Sequence, residues 1–480
     1  QRAMNLYMGA ELVGMNGVIS NVINILSVTE LGISTAIVYH LYGALARKDE
    51  AEIASLMNLY RKAYHVFAVL VFAAGMAVLP FIHLFMKNNS YSLSYIRVLY
   101  AMWLVRTVLS YLLTYRKSLL IADQKEYIAS ITGLILNVVS YLAIILLVTW
   151  EQNYLLALGI GTVTEVVLNI WISWYVEQKY PFLRQRRKEK STSSLTKRIV
   201  RDLKSLFISR ISEKMLYCTD NLIISGFIGV GTVGRYANYC MITQAISNIL
   251  TILANTIQPT VGDYFTEKNR QRNYEILRQL TFGFFCIASV VSVGLFSLIT
   301  PFVRDIWLGP SYELGWGITV FCIVVLLVRI MGLPLSLVMG VTGLFEKEKN
   351  VGASSALLNL IVSLALVKPY GMAGVLLGTL LSYLLQILYR YIIYFRDFLE
   401  MPGEALRYAQ DIGEYLAVIA GEVLLMQKIV PLIYGAGGML LFCVCFLLCI
   451  AIPLLLDLVI FGRGWRLQSI VTMVKGMRKA

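Results

Sequence analysis

Apolar runs of roughly 18–30 residues follow one another along this chain almost without interruption. Each is long enough to cross a hydrocarbon core of about 30 Å as a helix. The sequence predicts about thirteen such spans: 14–45, 59–86, 93–120, 127–149, 154–178, 205–228, 233–262, 278–303, 314–342, 350–367, 371–396, 412–433 and 437–461. Of the 480 residues, 58% are hydrophobic and 15% are charged, against about 25% charged in a soluble domain. A soluble enzyme, a disordered chain and a single-anchor protein are excluded. An all-α polytopic membrane protein remains.

The net charge of +14 would suit a nucleic-acid partner if it were concentrated on one soluble surface. It is distributed as a topology signal instead. Alternate connections, beginning at 46–62, hold 31 of the 42 Lys and Arg residues. The opposite set holds six: Arg2, Lys87, Arg97, Arg235, Arg304 and Lys368. The positive-inside rule therefore places the basic connections and the C-terminus in the cytoplasm. The longest loop, 179–204, carries ten basic residues and is expected to face the cytoplasm beside anionic headgroups. With an odd number of spans, residue 1 is expected outside, and the chain is expected to lack one N-terminal helix. Cys443, Cys445 and Cys449 cluster without His or carboxylate at ligand spacing, so neither a metal site nor a cofactor is expected.

The two halves match at a nearly constant offset. Gly9, Val13 and Gly14 correspond to Gly229, Val233 and Gly234. Pro80, Phe81 and Tyr91 correspond to Pro301, Phe302 and Tyr312, and Lys125, Leu136 and Asn137 to Lys347, Leu358 and Asn359, each group within a position or two of the same register. Six spans separate matched elements, so the repeats run parallel, related by an axis along the membrane normal. The expected architecture is two parallel-repeat six-helix lobes plus two C-terminal helices, about fourteen spans in an intact protein. Its parts are an N-terminal lobe at 1–178 lacking its first helix, the basic loop 179–204, a C-terminal lobe at 205–396, two further helices at 397–461 and a cytoplasmic tail from 462. Two such bundles facing each other enclose a cavity, which is a transporter architecture.

Charged groups in a membrane cost several kcal/mol, roughly 2.5–3.5 on insertion scales, and mark cavities or partners. The densest cluster is Arg210, Glu213, Lys214, Tyr217 and Asp220, on one face of the span 205–228. It reads either as internal salt bridges or as a charged cavity wall. In the second reading Arg210 and Lys214 hold phosphate, and the deeper Asp220 binds a proton or cation. A polar stripe, Asn16, Ser20, Asn24, Ser27, Glu30 and Ser34, follows one face of the first span. Gln244, Ser247, Thr251, Asn255 and Gln258 form its counterpart in the second half. Both stripes fit helix packing or cavity lining. Arg106 and Arg329 are candidate anion sites, whereas Glu165 and Glu422 read better as structural partners and Asp457 as near-surface. Pro259 and Pro334 interrupt their spans as bends or hinges.

The stretches ELVGMNGVISNVINILSVTELGISTAIVYHLY, TDNLIISGFIGVGTVGRYANYCMI and PFVRDIWLGPSYEL resemble the polysaccharide transport family, the Wzx-type oligosaccharide-lipid flippases. These belong with the multidrug extruders and lipid II flippases in one superfamily. The resemblance implies alternating access and an undecaprenyl-diphosphate-linked oligosaccharide, moved from the cytoplasmic to the outer leaflet of a bacterial plasma membrane for lipopolysaccharide or capsule. It implies a cationic cavity, for which Arg210, Lys214, Arg106 and Arg329 are the candidates, with Tyr217, Asn16, Asn24 and Asn255 contacting substrate. A glycan polymerase and other assembly proteins are the expected membrane partners. The Gly-rich turns lack GxxxxGK[ST], so energy is expected from a proton or sodium gradient through Asp220, Glu30 or Glu213, or from consumption of the product outside. The main alternative is an ion-coupled multidrug extruder of the same superfamily. A membrane enzyme is disfavoured, because the outer connections are short.

Overall fold

The computed structural model describes residues 2–27, 33–184, 218–265, 269–435 and 437–462. Among the described residues every regular element is helical. The helices are α1 (Arg2–Leu26), α2 (Ile33–Ala46), α3 (Glu50–Val78), α4 (Leu93–Thr114), α5 (Lys117–Ala122), α6 (Glu126–Trp150) and α7 (Tyr154–Lys179). Residues 218–227 are helical and are labelled α8. Then come α9 (Val230–Tyr264), α10 (Arg270–Pro301), α11 (Trp316–Val341), α12 (Phe345–Tyr370), α13 (Met372–Ile392), α14 (Pro402–Tyr434) and α15 (Met439–Phe461).

Eleven of these segments are long and apolar enough to cross a membrane. They correspond to eleven of the expected spans. The other two, 14–45 and 205–228, fall partly outside the described residues. The first is not one helix. It is α1 followed by α2, and α1 is itself broken at Gly9, so the stretch that continues into the span starts at Ala10, four residues before position 14. Although α1 has 25 residues, Asn5, Glu11, Asn16, Ser20, Asn21 and Asn24 leave it too polar to count among the eleven. The span expected at 93–120 likewise divides into α4 and α5.

Several helices also extend beyond their apolar stretch, because polar caps start them early. The Asp49 carboxylate accepts from the Glu52 N–H at 2.9 Å and starts α3 nine residues ahead of the expected boundary. Asn269 accepts from the Arg272 N–H at 3.0 Å and starts α10 eight residues early. Asp49 and Asn269 are themselves spaced as Gly9 and Gly229 are, so the two caps are repeat counterparts.

The chain divides into two compact units, 1–234 and 235–480. In the first, α4 packs between α3 and α7, and α1 lies against α4 and α6. In the second, α10 is the central post, packed by α11, α14 and α15, while α12 and α13 form a close pair. That pair is joined by polar groups: Asn359 Nδ2 donates to Thr379 Oγ1 at 2.9 Å, and Ser382 Oγ donates to the Ser355 carbonyl at 2.9 Å. Outward faces carry large apolar side chains such as Leu134, Val163, Leu432 and Val459. Such faces suit lipid, where apolar groups need no cover.

The repeat seen in the sequence reappears in the backbone. Gly9 (φ +81°) and Gly229 (φ +142°) both adopt conformations that a side chain resists. Asn88 (φ +52°) and Gly309 (φ +106°), spaced as Pro80 and Pro301 are, also match. At Pro80 a regular helix gives way to the 3₁₀ turn Leu79–Phe85, and after Pro301 to the π turn Phe302–Trp307. Within the first unit, repeat-related backbones approach each other reciprocally. A Cβ on Gly14 would collide with the Val230 carbonyl oxygen, and one on Gly234 would collide with that of Ala10. Ala10 is the repeat counterpart of Val230, as Gly14 is of Gly234.

Candidate functional site

The first unit contains a polar seam between spans. On α4, Trp103 Nε1 donates to Asn16 Oδ1 of α1 at 2.8 Å. One turn on, Arg106 Nε donates to Glu165 Oε2 of α7 at 2.6 Å. The guanidinium carbon lies 5.2 Å from the Trp103 ring centroid, within cation–π range. Gly161, one turn from Glu165 on α7, leaves the space, since a Cβ there would lie 3.4 Å from an Arg106 nitrogen. The seam continues through Thr114 Oγ1 to Asn169 Oδ1 at 3.4 Å and ends at the Arg116–Glu177 ion pair at 2.5 Å. Arg106 and Glu165 side chains are each about one-third exposed. The pair is therefore only partly covered, and its charges compensate each other across α4 and α7.

Asn24 is on α1 and donates to Ser20 Oγ at 3.5 Å. Asp220 is buried on α8. In the second unit Arg329 of α11 lies 5.5 Å from the Tyr383 ring centroid of α13. Asn255 is exposed on α9. Lower on α9, Gln258 packs against α11, where a Cβ on Gly340 would meet its amide nitrogen at 2.7 Å. Arg210, Glu213, Lys214, Tyr217 and Glu30 lie outside the described residues. Of the expected site residues, the structure thus links Asn16 and Arg106, through Trp103.

Trp103 was not anticipated as a bridge, and Glu165 was anticipated only as structural. Nothing in the linear sequence signals either role, because the partners lie 87 and 59 residues away. A third ion pair also escaped the sequence. Arg278 of α10 forms a two-pronged pair with Asp411 of α14, Nε to Oδ2 at 2.6 Å and Nη2 to Oδ1 at 2.9 Å. Both positions read as span ends, where charges are unremarkable.

Among the described residues the chain is thus an all-helical, multi-span membrane protein with internally repeated backbone features and polar seams between its spans. Residues 5–265 match the family described as polysaccharide biosynthesis protein, and the chain belongs to that family. No curated protein sequence matches it. Among solved structures it resembles the lipid II flippase MurJ in an inward closed conformation, with a TM-score of 0.70 and 16% identity, over 96% of this chain and 95% of that one. It also resembles an inward-facing multidrug resistance MATE family transporter of the MOP superfamily, with a TM-score of 0.64 and 14% identity, over 84% and 94%. A mutant of the Vibrio cholerae MATE transporter VcmN matches at a TM-score of 0.51 and 11% identity, over 84% and 98%. The sequence-based expectation of a polysaccharide-family membrane protein with a flippase-type fold is borne out.

Proposed function

We propose that the protein is a flippase for a lipid-linked oligosaccharide. It carries an undecaprenyl-diphosphate-linked repeat unit from the cytoplasmic to the outer leaflet of a bacterial plasma membrane by alternating access. The observation that carries this reading is membership of the polysaccharide biosynthesis family. The likeness in fold to a lipid II flippase supports it.

The physical problem of flipping is the head group. A diphosphate bearing sugars cannot cross about 30 Å of hydrocarbon without substitute solvation. A hydrated, cation-lined path through the protein would supply it, while the lipid tail stays in the bilayer. Cations inside the spans suit the diphosphate. Arginine binds phosphate through paired hydrogen bonds, and Arg106 and Arg329 stand within spans. Because Arg106 is already paired with Glu165, phosphate binding there proceeds by exchange of one anion for another. Arg210 and Lys214 complete the proposed phosphate set, with Tyr217, Asn16, Asn24 and Asn255 toward the sugars. Asp220, Glu30 and Glu213 are the proposed coupling carboxylates in a proton- or sodium-driven cycle, and a polymerase is the proposed consumer outside.

The test is deletion of the gene in its host, complemented by the intact gene, with surface polysaccharide and lipid-linked intermediates both quantified. Loss of surface polymer with intermediates retained on the cytoplasmic side is the expected result. Unpolymerised units on the outer face would point to a polymerase or ligase instead. Unchanged surface glycan in a strain with no second flippase overturns the reading. It would favour drug efflux, the alternative supported by the likeness in fold to MATE transporters.

A further inference from the structure

The helices α10, α14 and α15 of the second unit pack in three chemical layers. The first is the Arg278–Asp411 ion pair. The second is aromatic: Phe285 and Tyr415 stack at 4.5 Å between centroids, and Phe282 and Phe461 close around them. The third is acidic. Ser289 Oγ of α10 donates to Glu422 Oε2 of α14 at 2.5 Å. Asp457 of α15 is buried where α15 packs against α10 and α14. Glu422 and Asp457 are only 3% and 4% exposed. Three of their four carboxyl oxygens, Glu422 Oε1 and both of Asp457, are enclosed and without a hydrogen-bond partner.

Two carboxylates enclosed in one helix interface and short of donors cannot both stay ionised in a low-dielectric interior. Among the described residues, cations do not relieve them. Arg278 is eleven residues from Ser289 along α10, about 16 Å by helical rise, and it is committed to Asp411 beyond the aromatic layer. Lys428 of α14 is exposed. Among the described residues, the other titratable group beside these carboxyls is the Cys286 thiol of α10, a neutral donor.

We propose that Glu422, Asp457 and Ser289 form a proton-binding site, in which the two carboxyls hold one proton at neutral pH. The site takes a proton rather than a metal cation, because three oxygens plus one hydroxyl already in use form no cation-sized oxygen cage. Loading is simple protonation, COO⁻ + H⁺ → COOH, and Ser289 orients Glu422 to accept or share it. The inference does not depend on which substrate the protein moves.

Infrared spectroscopy of the full chain in lipid nanodiscs at pH 7, in sodium-free buffer, tests it. The wild-type protein should show a carboxylic-acid C=O band that weakens in Asp457→Asn and in Glu422→Gln and is lost in the double variant. An identical band in wild type and both single variants means that both groups are ionised and overturns the proposal. A band that vanishes when sodium chloride replaces potassium chloride assigns the site to a metal cation and also overturns it. Thermal unfolding gives an arm independent of the double variant. An acid kept protonated by the fold binds more protons folded than unfolded, so stability must fall as pH rises above the ordinary carboxylate range. Between about pH 4 and pH 8, wild-type Tm should therefore fall more steeply than that of Asp457→Asn, whose neutral amide has the shape of the protonated acid. Equal slopes count against the site.

Discussion

A single residue in a membrane span is judged by what it meets, and Arg106 meets Glu165 and Trp103. A double-mutant cycle of Arg106→Ala and Glu165→Ala, read by unfolding in detergent, should give a coupling of about 1–3 kcal/mol. Additive effects would make the pair incidental. Glu165→Gln leaves Arg106 uncommitted, and phosphate binding measured on the purified protein should tighten. Outside the spans, Asp123 offers a pH test. Burial pushes its carboxyl up, but hydrogen bonds from Lys125 and Tyr180 and the charge of Lys179 outweigh that and hold it below the usual carboxylate range. A carboxylate with a depressed folded pKa stabilises above its unfolded value and loses that contribution as pH falls through the folded one. Asp123→Asn should cost about 1 kcal/mol near neutrality and progressively less below about pH 4; a cost constant with pH would contradict this. The charges themselves were legible in the sequence. Their pairings were not, because Arg106 finds Glu165 and Arg278 finds Asp411 only after distant spans pack.

Helices are where the sequence spoke most clearly and also where it misled. Apolar runs predict spans because lipid admits little else, and eleven of them correspond to helices. Helix starts were misjudged because a cap such as Asp49 or Asn269 lies in polar sequence that hydropathy ignores. The first expected span covers two helices, because apolar content alone does not mark where one helix stops and the next starts. A matched repeat position does not guarantee a matched environment either: Asn359 is buried against Thr379, whereas its counterpart Asn137 is exposed. The glycine matches carried more weight, since they are enforced by backbone approach. Gly14→Ala should destabilise the protein by about 1–3 kcal/mol through overpacking, while Gly17→Ala, whose nearest neighbour would be 3.9 Å away, should be near neutral in the same thermal assay. Equal shifts for the two would argue against the close approach.

For the molecule as a whole, the distribution of charge predicts sidedness. In a cysteine-free background, Ser90→Cys should react with a membrane-impermeant maleimide added to intact cells. Ser193→Cys, in the basic loop, should react only after permeabilisation. Labelling of Ser193→Cys in intact cells would invert the topology derived from the Lys and Arg count. The family could be reached from sequence because its pattern of Gly, Asn and apolar residues extends across many helices. The acidic layer could not, because Ser289, Glu422 and Asp457 belong to three helices and none is unusual alone. The meeting of Gly14 with Val230 and of Gly234 with Ala10 has a consequence of its own. Carbonyls and glycine methylenes touch there, with no side chain between them, and helix carbonyls can keep their bonds within their own helices. Such a contact holds by dispersion between surfaces that fit rather than by charge. A joint of that kind is a matter of shape, and a single methyl group is enough to spoil it.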